Sequence, residues 1–106
     1  MNPGKIASQA GHAYIGAIFQ CKNSSIISEY HNEFPEHPGT KICLKGNLAQ
    51  IYRAKFEAER DGIPCFLVVD SGCPNFYNGQ PIVTALGLGP STKDQIQHIT
   101  KHFKLL

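Results

Sequence analysis

Apolar residues near the start of the chain recur at helical spacing. Ile6, Ala7, Ala10, Ala13, Tyr14, Ala17, Ile18 and Cys21 share one broad face at about 100° per residue, and Ile15 and Phe19 widen it. The pattern predicts a mostly buried helix from Gly4 to Gln20, with Pro3 suited to its start. Asn23 and two serines then interrupt it, and Ser24 or Ser25 is expected to cap a short helix through Ile26, Ile27 and Tyr30. Phe34 to Gly39 carries two prolines and a glycine and reads as a loop. Thr40 to Lys45 sets lysines outward and Ile42 and Leu44 inward, the alternation of a strand. Asn47 with Gln50 predicts a capped helix ending at Gly62, its core side formed by Leu48, Ile51, Tyr52 and Phe56.

The continuous apolar run from Pro64 to Val69 predicts an inner strand covered on both faces and closed by Asp70. An irregular loop holding Phe76 and Tyr77 follows, then a third strand from Val83 to Leu88 and a sharp turn at Gly89 and Pro90. Ser91, with Asp94 at the third helical position, is expected to cap a last helix whose apolar face is Ile96, Ile99 and Phe103. Helices alternating with strands in this way imply an α/β layer structure, helices flanking a small sheet.

Length and composition narrow the picture. A chain of 106 residues suits one domain with one core, and 42% hydrophobic with 17% charged residues is a globular balance. There is no apolar run long enough to span a membrane and no continuous hydrophobic leader, so a cytoplasmic protein is expected. Cys21, Cys43, Cys65 and Cys73 form no C-x-x-C pair, which argues against a zinc knuckle or redox motif; the first three sit among apolar neighbours as core thiols. A net charge of +2 permits an anionic partner without demanding one. The distribution says more: Lys93, Lys101, His102 and Lys104 gather toward the C-terminal end, and Lys41 and Lys45 share one short segment.

Two places carry candidate chemistry. Lys5, Gln9 and His12 stand at i, i+4 and i+7 and so project as a narrow strip from the first helix, read either as a site or as a solvated face. Asp70 closes an apolar strand, where α/β sheets place their chemistry; it suits a base or an orienting group, and equally an acceptor of backbone N–H bonds in the turn. A lysine in the first turn of a helix meets the positive end of the macrodipole. An anionic ligand or a developing oxyanion reverses that cost.

The segments Gly4-Lys5-Ile6-Ala7-Ser8-Gln9-Ala10-Gly11-His12-Ala13, Lys41-Ile42-Cys43-Leu44-Lys45, Asp70-Ser71-Gly72 and Thr84-Ala85-Leu86-Gly87-Leu88-Gly89-Pro90 resemble the type 2 peptidyl-tRNA hydrolase family. Asp94, Ile96, Thr100, His102 and Lys104-Leu105-Leu106 continue the likeness. The resemblance implies a single three-layer α/β/α domain over residues 1–106 with a small mixed sheet, a dimer, and no metal or organic cofactor. It also implies cleavage of the ester between a peptide and the 3′ end of tRNA, with peptidyl-tRNA as the partner. By position it implies catalytic roles for Lys5, Asp70 and His12 and substrate contacts for Gln9, Thr84 and Gly72. Lys5 would hold the terminal phosphate or the oxyanion, and Asp70 would activate water or orient the group that does. His12 keeps a second reading as a packing histidine.

The chain departs from the family pattern in two places. Cys73 and Pro74 stand where the family has a basic residue and a threonine, and proline offers neither hydroxyl nor N–H. The strand that opens family members is not matched, so a second copy, a swapped segment or upstream residues are expected to supply that pairing. Two other readings follow from these departures: a relative that binds tRNA without turnover, and a protein-interaction module that presents Phe76 and Tyr77.

Overall fold

The computed structural model describes residues 2–36, 38–70 and 81–106. Gly72, Cys73, Pro74, Phe76 and Tyr77 therefore lie outside the described residues. Helix α1, Pro3–Gln20, starts where Asn2 turns its side chain back to accept the Lys5 N–H at 2.8 Å. Helix α2 is Ser24–His31, capped by Asn23 rather than by either serine. Strand β1, Leu44–Lys45, precedes α3, Leu48–Arg60, whose Asn47 and Gln50 form the expected capping box. Strand β2 is Cys65–Asp70 and β3 is Ile82–Leu88; α4, Lys93–Thr100, and β4, Lys104–Leu105, complete the order.

The α/β architecture agrees with the sequence, but the strands do not join into one mixed sheet. Among the described residues they form two antiparallel ladders, β2 with β3 and β1 with β4. The strand expected over Thr40 to Lys45 is trimmed to its last two residues, which pair with a β4 that no sequence pattern predicted, and Cys43 adds one bond by accepting the Leu106 N–H. Phe103 accordingly lies beyond α4 and packs on the core from the turn into β4. The cap of α4 is Thr92 with Gln95, one residue later than Ser91 with Asp94, since Thr92 Oγ1 is the oxygen that meets the Gln95 N–H.

Side chains alternate across the β2–β3 ladder. Cys65, Leu86 and Leu88 face α3 and α4, where Ala54, Ala58, Ile63 and Ile99 make a buried cluster. Burying Ile99 contributes about 1.5–3 kcal/mol. The core side of α3 is thus its alanines. Leu48, Tyr52 and Phe56 point outward, Phe56 with 67% of its surface exposed, because only small side chains let the helix approach. Strand β2 is likewise less enclosed than its apolar run suggested, and Val69 is half exposed. Asp61, at the end of α3, binds the Arg60 guanidinium and the His98 imidazole of α4; these hold its carboxyl down at about 2 and tie the two helices together.

The opposite face of the ladder carries Phe66, Val68, Ala85 and Gly87, and α1 lies directly on it. The approach is close enough that a Cβ on Gly87 would stand 2.0 Å from the Ala13 carbonyl oxygen, and one on Gly16 would stand 2.1 Å from the Phe66 ring. Ala13, Gly16, Ala17 and Cys21 are buried in consequence. Ile15 and Phe19, expected to extend the buried face, are 58% and 74% exposed because they fall on the side turned away from the ladder. No helix among the described residues is long and apolar enough to cross a membrane.

Two glycine substitutions should move stability in opposite directions. Gly87→Ala drives a Cβ into backbone that has no rotamer to yield, and is expected to cost about 1–3 kcal/mol or more in urea unfolding. Gly11→Ala meets nothing within 4 Å on an interior turn of α1 and is expected to gain about 0.5–1 kcal/mol. Equal effects would show that the crossing is looser than described.

Candidate active site

The contact between α1 and the ladder begins with polar residues and ends with small apolar ones. Lys5 Nζ forms an ion pair with Asp70 Oδ2 at the end of β2. One turn further along α1, Thr84 Oγ1 of β3 donates to Gln9 Oε1 at 2.5 Å. Ala13 against Gly87 and Gly16 against Phe66 continue the same stripe. Four successive turns of one helix thus meet two strands, and the first two turns do so through side chains capable of chemistry.

Each polar partner is placed by a local device. Asp70 shares the α1 face with Phe66 and Val68 through the two-residue period of β2. Thr84 gets there through an irregularity: Val68 pairs with Ala85 but Val69 pairs with Val83, so Thr84 is left over as a bulge. The extra residue brings its hydroxyl round to α1 instead of toward α3. Gln9 is only 5% exposed, and its bond to Thr84 is the reason a buried amide is tolerated there.

Asp70 also resolves the awkward position of Lys5. Its carboxylate brings negative charge to the first turn of α1, where the helix dipole favours an anion, while neutralising the lysine that the dipole opposes. The turn-capping reading of Asp70 is therefore not the whole account, since its carboxylate reaches across the fold to Lys5. Both groups keep access to water, with the lysine side chain 36% and the aspartate 20% exposed.

The structure brings together Lys5, Asp70, Gln9 and Thr84. His12 stands apart: it lies about 60° round the helix from Gln9, is exposed, and has no hydrogen-bond partner among the described residues. The packing reading of His12 is removed by its exposure, while helical spacing keeps it about 20° round from Lys5. Gly72 follows Asp70 outside the described residues. Spacing alone missed the role of Asn2 as the cap that fixes the turn bearing Lys5, although an asparagine just before a proline at a helix start is the signal for it.

On another side of α1, Pro3, Ala7, Gly11 and Tyr14 face Cys43 and Leu106 across an apolar groove of about 520 Å³. Burial pushes the Tyr14 phenol up, and neighbouring Cys43 acts in the same sense. The groove runs along the first turns of α1 on the side of the helix turned away from Lys5 and Gln9.

A family model described as Peptidyl-tRNA hydrolase PTH2 matches residues 1–106. The chain belongs to that family. It is similar to proteins named peptidyl-tRNA hydrolase from Methanococcus vannielii, 34% identical over 108 residues, and Methanocaldococcus jannaschii, 32% identical over 108 residues. A third, from Methanopyrus kandleri, is 33% identical over 107 residues. All of this chain is covered in each case, against 89%, 90% and 88% of the respective relatives.

The bond between Gln9 and Thr84 makes a test of the geometry by itself. Thr84→Val leaves the buried Gln9 oxygen without its donor and is expected to lower stability by about 1–3 kcal/mol. Adding Gln9→Leu removes the stranded group, and the double variant should recover most of that loss in urea unfolding. Additive losses would mean that the two side chains do not depend on each other.

Proposed function

We propose that this chain hydrolyses the ester joining a peptide to the 3′ end of tRNA, releasing the peptide and free tRNA. The observation that carries the proposal is the Lys5–Asp70 pair at the start of α1, in a chain of the peptidyl-tRNA hydrolase family. Ester hydrolysis needs a water relieved of a proton and a place for negative charge on the carbonyl oxygen. Asp70 supplies the acceptor for the proton. The Lys5 ammonium and the N-terminal end of α1 supply favourable potential for the oxyanion. As the tetrahedral intermediate collapses, the ribose oxygen leaves with the bonding pair and takes up a proton, and the peptide leaves as a carboxylic acid.

Gln9 and Thr84 brace the wall behind this pair, and their fixed hydrogen bond keeps α1 in register with the ends of β2 and β3. His12, exposed on the next turn, is assigned to the substrate side of the helix, and Gly72 to substrate contact. The step as written uses side chains and water alone. With tRNA as substrate, the chain is placed in the cytoplasm with the translation machinery.

The direct test is release of tRNA from an N-blocked aminoacyl-tRNA by the purified chain. Asp70→Asn and Lys5→Met are each expected to lower the rate by roughly 10²-fold or more while circular dichroism and tRNA binding persist. A folded wild-type chain that releases no tRNA would overturn the proposal. We also assign the chain to a homodimer, on the support of Ile15 and Phe19, which stand one turn apart on the outward face of α1 and suit a second copy. Sedimentation equilibrium should give twice the chain mass, and Phe19→Asp should halve it; a wild-type monomer across the assay concentrations rejects the dimer.

A further inference from the structure

The β1–β4 ladder sets two lysines against each other. Leu44 pairs with Leu105 and Lys45 with Lys104, and the Leu106 N–H bonds to the Cys43 carbonyl at 3.2 Å, extending the same register by one pair. Residues directly opposite in an antiparallel ladder share a face, and every second pair returns to it. Lys45 and Lys104 therefore project on the same side as Cys43 and Leu106, the pair that forms the far wall of the groove along α1.

Like charges directly opposite destabilise a ladder. No carboxylate among the described residues offsets these: neither Lys45 nor Lys104 makes an ion pair, and Lys101 in the turn before β4 adds to the same sign. Lys41 is excluded from the group, because it donates to the carbonyls of Pro38 and Gly39 and lies over the Tyr30 ring. The ladder is nonetheless held firmly. Phe103 packs on the core just before it, so close to Gly46 that a Cβ there would stand 2.5 Å from the ring. A cationic pair with no carboxylate partner among the described residues, beside a groove that runs along α1 to Pro3, fits a polyanion crossing the ladder.

We propose that Lys45 and Lys104, with Lys101 in the turn before β4, form a docking surface for the phosphodiester backbone of the tRNA. This rests on the hydrolase reading for the identity of the polyanion. Phosphates seated between the two ammonium groups relieve their repulsion, so the ladder is more stable with RNA bound than without. The surface holds the tRNA and takes no part in bond cleavage.

Lys45→Glu separates this role from a structural one. It sets opposite charges across the ladder, so the thermal midpoint should hold or rise, while affinity for deacylated tRNA at low salt should fall about tenfold or more. The pair Lys45→Gln with Lys104→Gln should reduce the slope of log affinity against log salt by about two. In turnover, KM for peptidyl-tRNA should rise with kcat unchanged, and hydrolysis of an N-acyl-aminoacyl adenosine, which lacks the stem, should match wild type. Unchanged tRNA affinity and salt slope in both variants would overturn the docking surface, as would equal loss on the adenosine ester. Absence of turnover by wild type on either substrate would count against the hydrolase reading alone, and the binding slopes would still decide the role of the lysines.

Discussion

The structure depends on how near α1 comes to the β2–β3 ladder. Gly87 lets the Ala13 carbonyl rest on β3, and Gly16 leaves the space that the Phe66 ring fills. With Cβ atoms at both places the helix would have to rise from the sheet. The polar contacts at the other end of the helix would then open, since an ion pair and a hydrogen bond tolerate displacements of only a few tenths of an ångström. The small residues in the second half of α1 thus determine the spacing at which Lys5 meets Asp70.

That arrangement also explains how a lysine and a carboxylate come to share a place where neither is comfortable alone. A cation at a helix start and an anion at the end of an apolar strand each carry an electrostatic penalty, and pairing them cancels both. The bulge at Thr84 does a related job for Gln9. By shifting one residue out of the ladder it turns a hydroxyl toward a buried amide, and a polar wall stands where the strand pattern called for alternate faces.

Much of this was legible in the residues. Lys5 and Asp70 stood out because each conflicts with its surroundings unless it has a partner, and the helix and strand patterns put them at the right ends of their elements. The bulge was not legible, because Val83 to Leu88 alternates smoothly and a register shift depends on the partner strand. The outward faces of α1 and α3 were misread for one reason. Ile15, Phe19, Tyr52 and Phe56 are more hydrophobic than the alanines and glycine that are buried, but close packing selects for size before hydrophobicity. The two ladders were missed in part because β4 is two residues long and carries no strand signature of its own.

The separations along the chain carry a further consequence. Lys5 and Asp70 are 65 positions apart, and Gln9 and Thr84 are 75 apart. During synthesis, α1 emerges early with nothing to rest on, and its lysine waits until β2 has been made and β3 has folded back beside it. Each of these contacts closes a long loop, so little of the site is held by local structure alone. Both contacts therefore form late and together, and a chain interrupted before β3 carries the helix that bears Lys5 without the ladder it rests on.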